Sequence, residues 1–435
     1  MSVLDKIYSD KATSTPPTLK NVTWCEKDNH SLYEYFVDFN EWIDGDDGLD
    51  IRLRFGIDGL SNPSKAFFAS DLEAYNQVFK VFRNERKSEV LSEEYISENF
   101  IDGHWYERNN AHFEQLVDCL CEDAVVPFIG AGLSVECEFP TWRGHLIQQG
   151  RTSGLDGDHV LDLLNKGQYE TVIEEIEAKG FKDAFIQELK DVFSKTGKIT
   201  QTTLRLTELF TDTLITTNYD YILQQAYDTG ENDRIQLLDS TNIQEIPDND
   251  KLTIIKLHGD IRQPKSCIIS KNQYDDAYGN GDLDIAKPIP KVLSYHYRTS
   301  NLLFLGCSLN RDRTMEVFQA VKDELEKKGD IDRPQHFSLE SMPESEAELA
   351  ARNAYLLRFG ITPIWFPKGS YDCIEQILRL ARNEMRYRGH IPGIKKQEAE
   401  EPVQVLEEQV HSSGWSMIKN GISRLFGRTK AIAHL

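Results

Sequence analysis

No Cys-x-x-Cys pair occurs anywhere in the chain, although it has seven cysteines, at positions 25, 119, 121, 137, 267, 307 and 373. That spacing is the one structural zinc sites use, so no zinc is expected. An odd number of scattered thiols fits buried or neutral side chains in a reducing compartment. Basic residues are also in short supply: Lys plus Arg number 49 against 71 Asp plus Glu, a net charge of −22. So acidic a surface repels phosphate backbones and excludes a nucleic-acid groove across the whole molecule, leaving room only for a local basic patch. Long hydrophobic runs are missing too. Met1 to Lys20 lack the apolar core of a signal peptide, and nothing later reaches membrane-spanning length, so a soluble, cytoplasmic protein without a membrane partner is expected. Internal repeats and a Walker A Gly-x-x-x-x-Gly-Lys-Ser/Thr motif are absent as well.

What is present is enough apolar material for a core: 40% of the 435 residues are hydrophobic and 10% aromatic, which rules out a disordered chain. Lys11 to Asn21 is rich in Ser, Thr and Pro and forms a lead-in to a small N-terminal accessory region, 1–107. Within it Ile51–Phe55 alternates like a half-buried strand, and Leu72, Tyr75, Val78, Phe79 and Phe82 fall on one helical face. From 108 to 392 short apolar runs recur: AVVPFI, Leu214–Thr217, Leu252–Leu257, Leu302–Leu305, His336–Leu339 and Thr362–Phe366. Pro127 predicts that the first of them ends or bulges there. Helical stretches separate most of the runs, at Tyr169–Lys179, Tyr219–Asp228, Thr314–Lys327, Glu344–Arg358 and Ile374–Arg386. Buried strands alternating with helices predict an α/β, Rossmann-like parallel sheet with helices on both faces. A helical insertion is expected over about 143–210. Residues 393–435 give a charged linker and a basic amphipathic tail, with Trp415, Ile418, Ile422 and Leu425 on one face; such a tail either docks on a partner or packs on its own domain.

Gly130-Ala131-Gly132, between a predicted strand and helix, lets backbone approach a diphosphate without an intervening Cβ, although many such turns merely pack a helix on a sheet. Position 135 is Val rather than the third glycine of a dehydrogenase fingerprint. The residues about twenty further on, QQGRTSGLDG, form a loop rather than a strand end, so an ordinary dehydrogenase is disfavoured. Asn218 and His258 follow two other strands. A strand-end Asn often only caps the next helix, and a lone His often only satisfies a local hydrogen bond. Their placement together at strand carboxyl ends, where open α/β sheets bind ligands, favours chemistry.

The stretch VVPFIGAGLSVECEFPTWRG resembles the opening of sirtuin-like (silent-information-regulator) proteins, with Gly130, Ala131, Gly132, Ser134, Pro140, Trp142 and Arg143 in the matching places. The likeness continues at Leu214-Ile215-Thr216-Thr217-Asn218-Tyr219-Asp220, at Lys256-Leu257-His258-Gly259, and at Leu303 to Leu309 with its Gly306-Cys307-Ser308 turn. Four motifs in the family's order cover about 110–390. The resemblance implies NAD as substrate, with Gly130 to Ser134 at the diphosphate, Gly306 and Ser308 at the adenosine ribose, and Trp142 and Arg143 as further contacts. Catalysis would fall to Asn218, which orients water and ribose hydroxyls, and His258, which polarises a ribose hydroxyl or relays a proton. Asp220 would face the nicotinamide or brace the loop.

Deacylating sirtuins usually carry a four-cysteine zinc module between the His-Gly and Gly-x-Ser motifs, and between His258 and Gly306 this chain has only Cys267. The resemblance is therefore to zinc-module-free bacterial effectors that hydrolyse NAD to nicotinamide and ADP-ribose in anti-phage defence. It implies control through a homo-oligomer or a separately encoded HerA-type ATPase. A protein deacylase or ADP-ribosyltransferase, and a non-enzymatic NAD or ADP-ribose sensor, stay open as alternatives.

Overall fold

The computed structural model describes residues 33–391 apart from 229, 231–233, 311 and 330–332. The lead-in at 11–21 and the amphipathic tail at 393–435 lie outside the described residues. The chain divides into two compact units, 1–90 together with 383–435, and 91–382.

The first unit is helical where it is described. Val37–Asp44, Leu49–Phe55, Pro63–Ser70 and Leu72–Val90 enclose a core crowded with aromatic rings, among them Phe39, Phe67, Tyr75, Phe79 and Phe82. The Tyr75 hydroxyl donates to Asn40 Oδ1 inside this core, which satisfies both buried polar groups. The expected helical face over 72–82 is the one buried, except that Leu72 itself is exposed. Ile51–Phe55, read as a strand, is instead the end of a helix. Gly56 closes it in the left-handed conformation, donating its N–H to Arg52 O and Leu53 O, and five alternating residues are too few to separate the two periods.

The second unit is built on a seven-stranded sheet, all of whose pairings are parallel. The strands are β1 (Val125–Ile129), β2 (Thr213–Thr216), β3 (Ile235–Asp239), β4 (Leu252–Lys256), β5 (Asn301–Leu305), β6 (His336–Ser341) and β7 (Ile361–Phe366), in the order β3-β4-β2-β1-β5-β6-β7. The expected α/β fold is thus what the chain forms. β3 had no expectation; it is an edge strand whose first three residues are only half-buried, which leaves little apolar signal to read. Pro127 lies in the middle of β1, paired with Leu303 of β5, not at an end or a bulge. Ile129 O faces β2, where it accepts from Thr217 N, so strand alternation turns the Pro127 nitrogen to that same side. The β1–β2 ladder begins only at Phe128, and no ladder bond is lost to the missing N–H.

Phe128, Ile215, Ile255 and Phe304 of four central strands pack with Tyr297 and Phe318 in one buried cluster. At the other end of the sheet the edge of β7 is closed by the helix His104–Cys121. Asn109 donates to Trp365 O at 2.9 Å and accepts from Trp365 N at 2.7 Å, which satisfies backbone groups that an open edge would expose. Five helices between Trp142 and Leu209 connect β1 to β2. No helix among the described residues is long and apolar enough to cross a membrane.

The order of the strands decides where a ligand can enter. The chain runs outward from β1 through β2 to β3 and β4, then returns to the far side of β1 for β5. The reversal leaves a crevice at the carboxyl ends of β1 and β5.

Candidate functional site

Two turns meet at that crevice. Gly130 donates its N–H to Leu305 O at 2.8 Å, and Gly132 donates to Gly306 O at 2.9 Å. The approach is too close for side chains: a Cβ on Gly130 would lie 2.5 Å from Gly306 O, and one on Gly306 would lie 2.3 Å from Leu133 N. Gly306 also has φ +65°, which only glycine adopts without strain. Gly306→Ala is expected to lower the unfolding free energy by about 1–3 kcal/mol, read as a shift of the urea midpoint. An unchanged midpoint would mean that the two turns are not locked together.

The end of β2 supplies the second wall. Thr216 Oγ1 donates to Ile129 O at 2.9 Å and accepts from Asn218 N at 3.0 Å, which bends the chain inward after the strand. Asn218 Nδ2 then donates to Ser134 Oγ at 3.0 Å, and Ser134 Oγ donates to Asp220 Oδ2 at 2.8 Å. The other Asp220 oxygen accepts from Ile222 N at 3.1 Å. All three side chains are buried, and Asn218 Oδ1 has no hydrogen-bond partner among the described residues. A buried amide oxygen left unpaired costs free energy, so it is the group in this trio with bonding capacity to offer. Burial pushes the Asp220 carboxyl up, while Lys256, Ile222 N and Ser134 pull it down.

Beneath the trio lies an ion pair that sequence reasoning did not single out. Lys256, at the end of β4 and fully buried, donates to Asp260 Oδ2 at 3.1 Å, to Tyr219 O at 3.2 Å and to Asp220 O. Asp260 also accepts from Gln224 Nε2 and Arg262 N. Burial lowers the Lys256 pKa, and Asp260 and Asp220 raise it. Lys256 thereby ties the loop after β2 to the loop after β4. Its signal was its place in Lys256-Leu257-His258-Gly259.

The register pairs Thr216 with Lys256, so Asn218 and His258 follow neighbouring strand ends at equal distance. His258 Nε2 lies 2.9 Å from Tyr278 Oη and its Nδ1 lies 3.4 Å from Tyr274 Oη. Burial lowers its pKa to about 4, which keeps the imidazole neutral at pH 7. Its surface is nonetheless half-open to solvent. Asp312 is alike: exposed, yet pushed up to about 6 by burial against the pull of the Met315 and Thr314 N–H groups.

Other candidates take different places. The Trp142 ring stands 5.4 Å from Tyr219 and 5.8 Å from His145. Arg143 donates to Asn165 Oδ1 at 2.7 Å, and no contact among the described residues joins it to Asn218, His258 or Gly306. Ser308 is exposed, and its carbonyl accepts from Arg352, which also binds Glu340 through Nε and Nη2. Ala131 opens a single helical turn, Ala131–Ser134. Among the described residues no group of three or more His, Cys, Asp and Glu is placed to hold a metal ion.

Residues 212–364 match the profile of the SIR2-like domain family. The matched segment opens just before β2 and ends within β7, so it contains Asn218, Asp220, His258, Gly306 and Ser308; the Gly130–Ser134 turn precedes it. The chain is also 28% identical over 171 residues to a protein named NAD(+) hydrolase ThsA of Cytobacillus dafuensis, covering 39% of this chain and 33% of that one. A ThsA of Bacillus cereus is 26% identical over 279 residues, 61% of this chain and 55% of the relative. One of Enterococcus faecium is 27% identical over 195 residues, 45% and 39% respectively. The chain thus spans between a third and just over half of the length of these curated relatives. The SIR2-like family and the α/β sheet agree with the resemblance drawn from the motifs.

Proposed function

We propose that the SIR2-like unit hydrolyses NAD, cleaving the bond between nicotinamide and ribose with water as the acceptor. The observation that carries this reading is the unpaired Asn218 Oδ1, buried at the end of β2 beside the glycine turn and one strand from a neutral His258. The names of the relatives, NAD(+) hydrolases, support it. In the reaction the C1′–N bond breaks with its electron pair going to the pyridinium nitrogen, so nicotinamide leaves neutral and the ribose carbon takes on cationic character. Water adds its oxygen to C1′ and gives up one proton, leaving ADP-ribose.

In this reading Asn218 Oδ1 accepts from the attacking water and holds it against C1′, a positioning and electrostatic role together. Neutral His258 takes the proton the water releases. Ser134 and Asp220 brace Asn218, and their mutual hydrogen bonds leave Asp220 little capacity to meet nicotinamide itself. The Gly130–Gly132 and Gly306–Ser308 turns lie where the diphosphate and adenosine ribose enter the crevice, with Trp142 over Tyr219. Arg143, held by Asn165, joins only if the insertion helices move.

Two experiments test this. With NAD in isotopically heavy water and an acetyl-lysine peptide present, the product should be ADP-ribose labelled at C1′. An acyl-ADP-ribose or a modified peptide would move the protein to the deacylase or transferase class. The second concerns pH. Because the pKa of His258 is lowered to about 4, the base is already deprotonated well below neutrality. The specificity constant kcat/KM should therefore stay level between about pH 7.5 and about pH 5.5, where an unshifted histidine would cost roughly tenfold. A tenfold fall centred near the ordinary histidine value would contradict the assignment.

The biological setting we propose is a regulated, NAD-depleting effector of anti-phage defence, active as a homo-oligomer or with a separately encoded ATPase. It rests on the family resemblance, and a steep dependence of activity on protein concentration would support it.

A further inference from the structure

The turn from Gly306 to Leu309 is held at both of its ends. Gly132 holds the first through its N–H bond to Gly306 O. The second belongs to Arg352, on the helix Glu346–Leu357 that follows β6. Arg352 Nη2 donates to Ser308 O at 2.8 Å, and Nη1 donates to Leu309 O at 3.3 Å. Nε and Nη2 both donate to Glu340 Oε2, at 3.1 Å and 3.0 Å. One carboxylate and two carbonyls thus share a single planar fork of donors, and all three guanidinium nitrogens are engaged.

The sheet puts Glu340 where this can happen. The register that pairs Phe304 with Ser338 brings Glu340, two residues further along β6, level with Gly306. Trp365 of β7 is its partner on the other side, and Glu340 is only 9% exposed. A carboxylate kept at such a place needs a cation, and the cation it has is the one that reaches the turn.

Two features of the turn give that grip a purpose. Leu309 has φ +44°, in the left-handed region that favours glycine, so its backbone is strained although its side chain is buried with Phe304 and Phe318. Every described peptide bond is also trans, so a carbonyl drawn toward Arg352 turns the N–H of the same peptide away from it. The N–H groups of Leu309 and Asn310 therefore face away from the guanidinium. Neither donates to any group among the described residues. Unspent backbone donors at the end of β5 are the groups that phosphate and hydroxyl oxygens of a ligand can meet.

We propose that Arg352, steadied by Glu340, shapes the Gly306–Leu309 turn for the adenosine half of NAD, so that the N–H groups of Leu309 and Asn310 meet the adenosine ribose and its phosphate. Arg352 is a positioning residue, because it acts through the turn and not on the dinucleotide itself. It sets how tightly the dinucleotide is held, and it leaves the chemistry at C1′ to Asn218 and His258. The inference rests on reading the crevice as an NAD site. It does not require cleavage, since ADP-ribose carries the same adenosine half.

The test is titration calorimetry of the full chain with ADP-ribose, beside urea unfolding. Two variants remove the fork without stranding a charge. Arg352→Lys keeps a cation for Glu340 but cannot span a carboxylate and two carbonyls, and Arg352→Met combined with Glu340→Gln leaves no charge to bury. Wild type should bind ADP-ribose, and both variants should bind it about tenfold or more weakly, while the urea midpoint of Arg352→Lys stays close to that of wild type. Affinities within about twofold of wild type in both variants would overturn the proposal, and so would a wild type that binds no ADP-ribose. Steady-state nicotinamide release adds a readout that lost stability would not imitate. In Arg352→Lys the KM for NAD should rise about tenfold with kcat within about twofold, and a fall in kcat at unchanged KM would contradict the positioning role. If wild type binds ADP-ribose in a manner that depends on Arg352 yet releases no nicotinamide, the hydrolase reading falls and the role of Arg352 stands.

Discussion

Lys256→Ala should lower the unfolding free energy of the unit built on the sheet by about 3–5 kcal/mol, the typical cost of stranding one partner of a buried ion pair. Asp260 is 1% exposed and would be left buried with only Gln224 and a backbone N–H beside its carboxyl group. The Asp220 carbonyl would lose the Lys256 donor at the same moment, and the Tyr219 carbonyl would keep only Ile261 N. Urea unfolding measures the cost. The double variant Lys256→Met with Asp260→Leu separates charge from geometry. Replacing both members by apolar groups should recover most of the stability, because no charge is left buried. Activity should not recover with it, because the Lys256 bonds to the Tyr219 and Asp220 carbonyls are gone and the loop is left with fewer ties to the end of β4. A double variant that regained full NAD cleavage would reduce Lys256 to a structural element alone.

Asn218→Ala is expected to lower nicotinamide release about 10²–10³-fold, the usual loss when one preorganised group is removed from around a developing charge. Its stability should move by less than about 1 kcal/mol, because the change also deletes Oδ1, a buried acceptor with no partner. The variant does leave Ser134 Oγ without the donor at 3.0 Å, which offsets part of that gain. Activity and stability should thus come apart at this residue, whereas at Lys256 they fall together. A group kept at a cost to the folded state, with open bonding capacity, is what a binding site requires. An Asn218→Ala protein that unfolded easily would show instead that the amide serves the fold.

The sheet was legible because its strands are short apolar runs, and the site because its residues follow those runs directly. Asn218 and His258 are adjacent to Leu214–Thr217 and Leu252–Leu257, and the parallel register then fixes their distance from one another. β3 was not legible, since an edge strand buries too little to leave a pattern. Pro127 misled because a rule for the interior of a sheet ignores which side each nitrogen faces. The tyrosines around His258 were hidden for another reason. Tyr274 and Tyr278 carry helical spacing but no motif, and their contact with His258 appears only when the helix Lys271–Tyr278 is laid against the end of β4. Lys256 and Tyr219 stood inside the quoted motifs and went unassigned, because a buried ion pair and a ring contact are properties of packing rather than of order along the chain. Arg143 shows the converse: a motif position whose side chain is bonded to Asn165 instead of to the other site residues.

The most direct test of the central claim is nicotinamide release from NAD by the purified full chain, at several protein concentrations, beside Asn218→Ala. The account predicts release by the wild type, its loss in the variant, and equal urea midpoints for the two. Release that persists undiminished in Asn218→Ala would contradict it, because the cleavage would then owe nothing to the site at the ends of β1, β2 and β4.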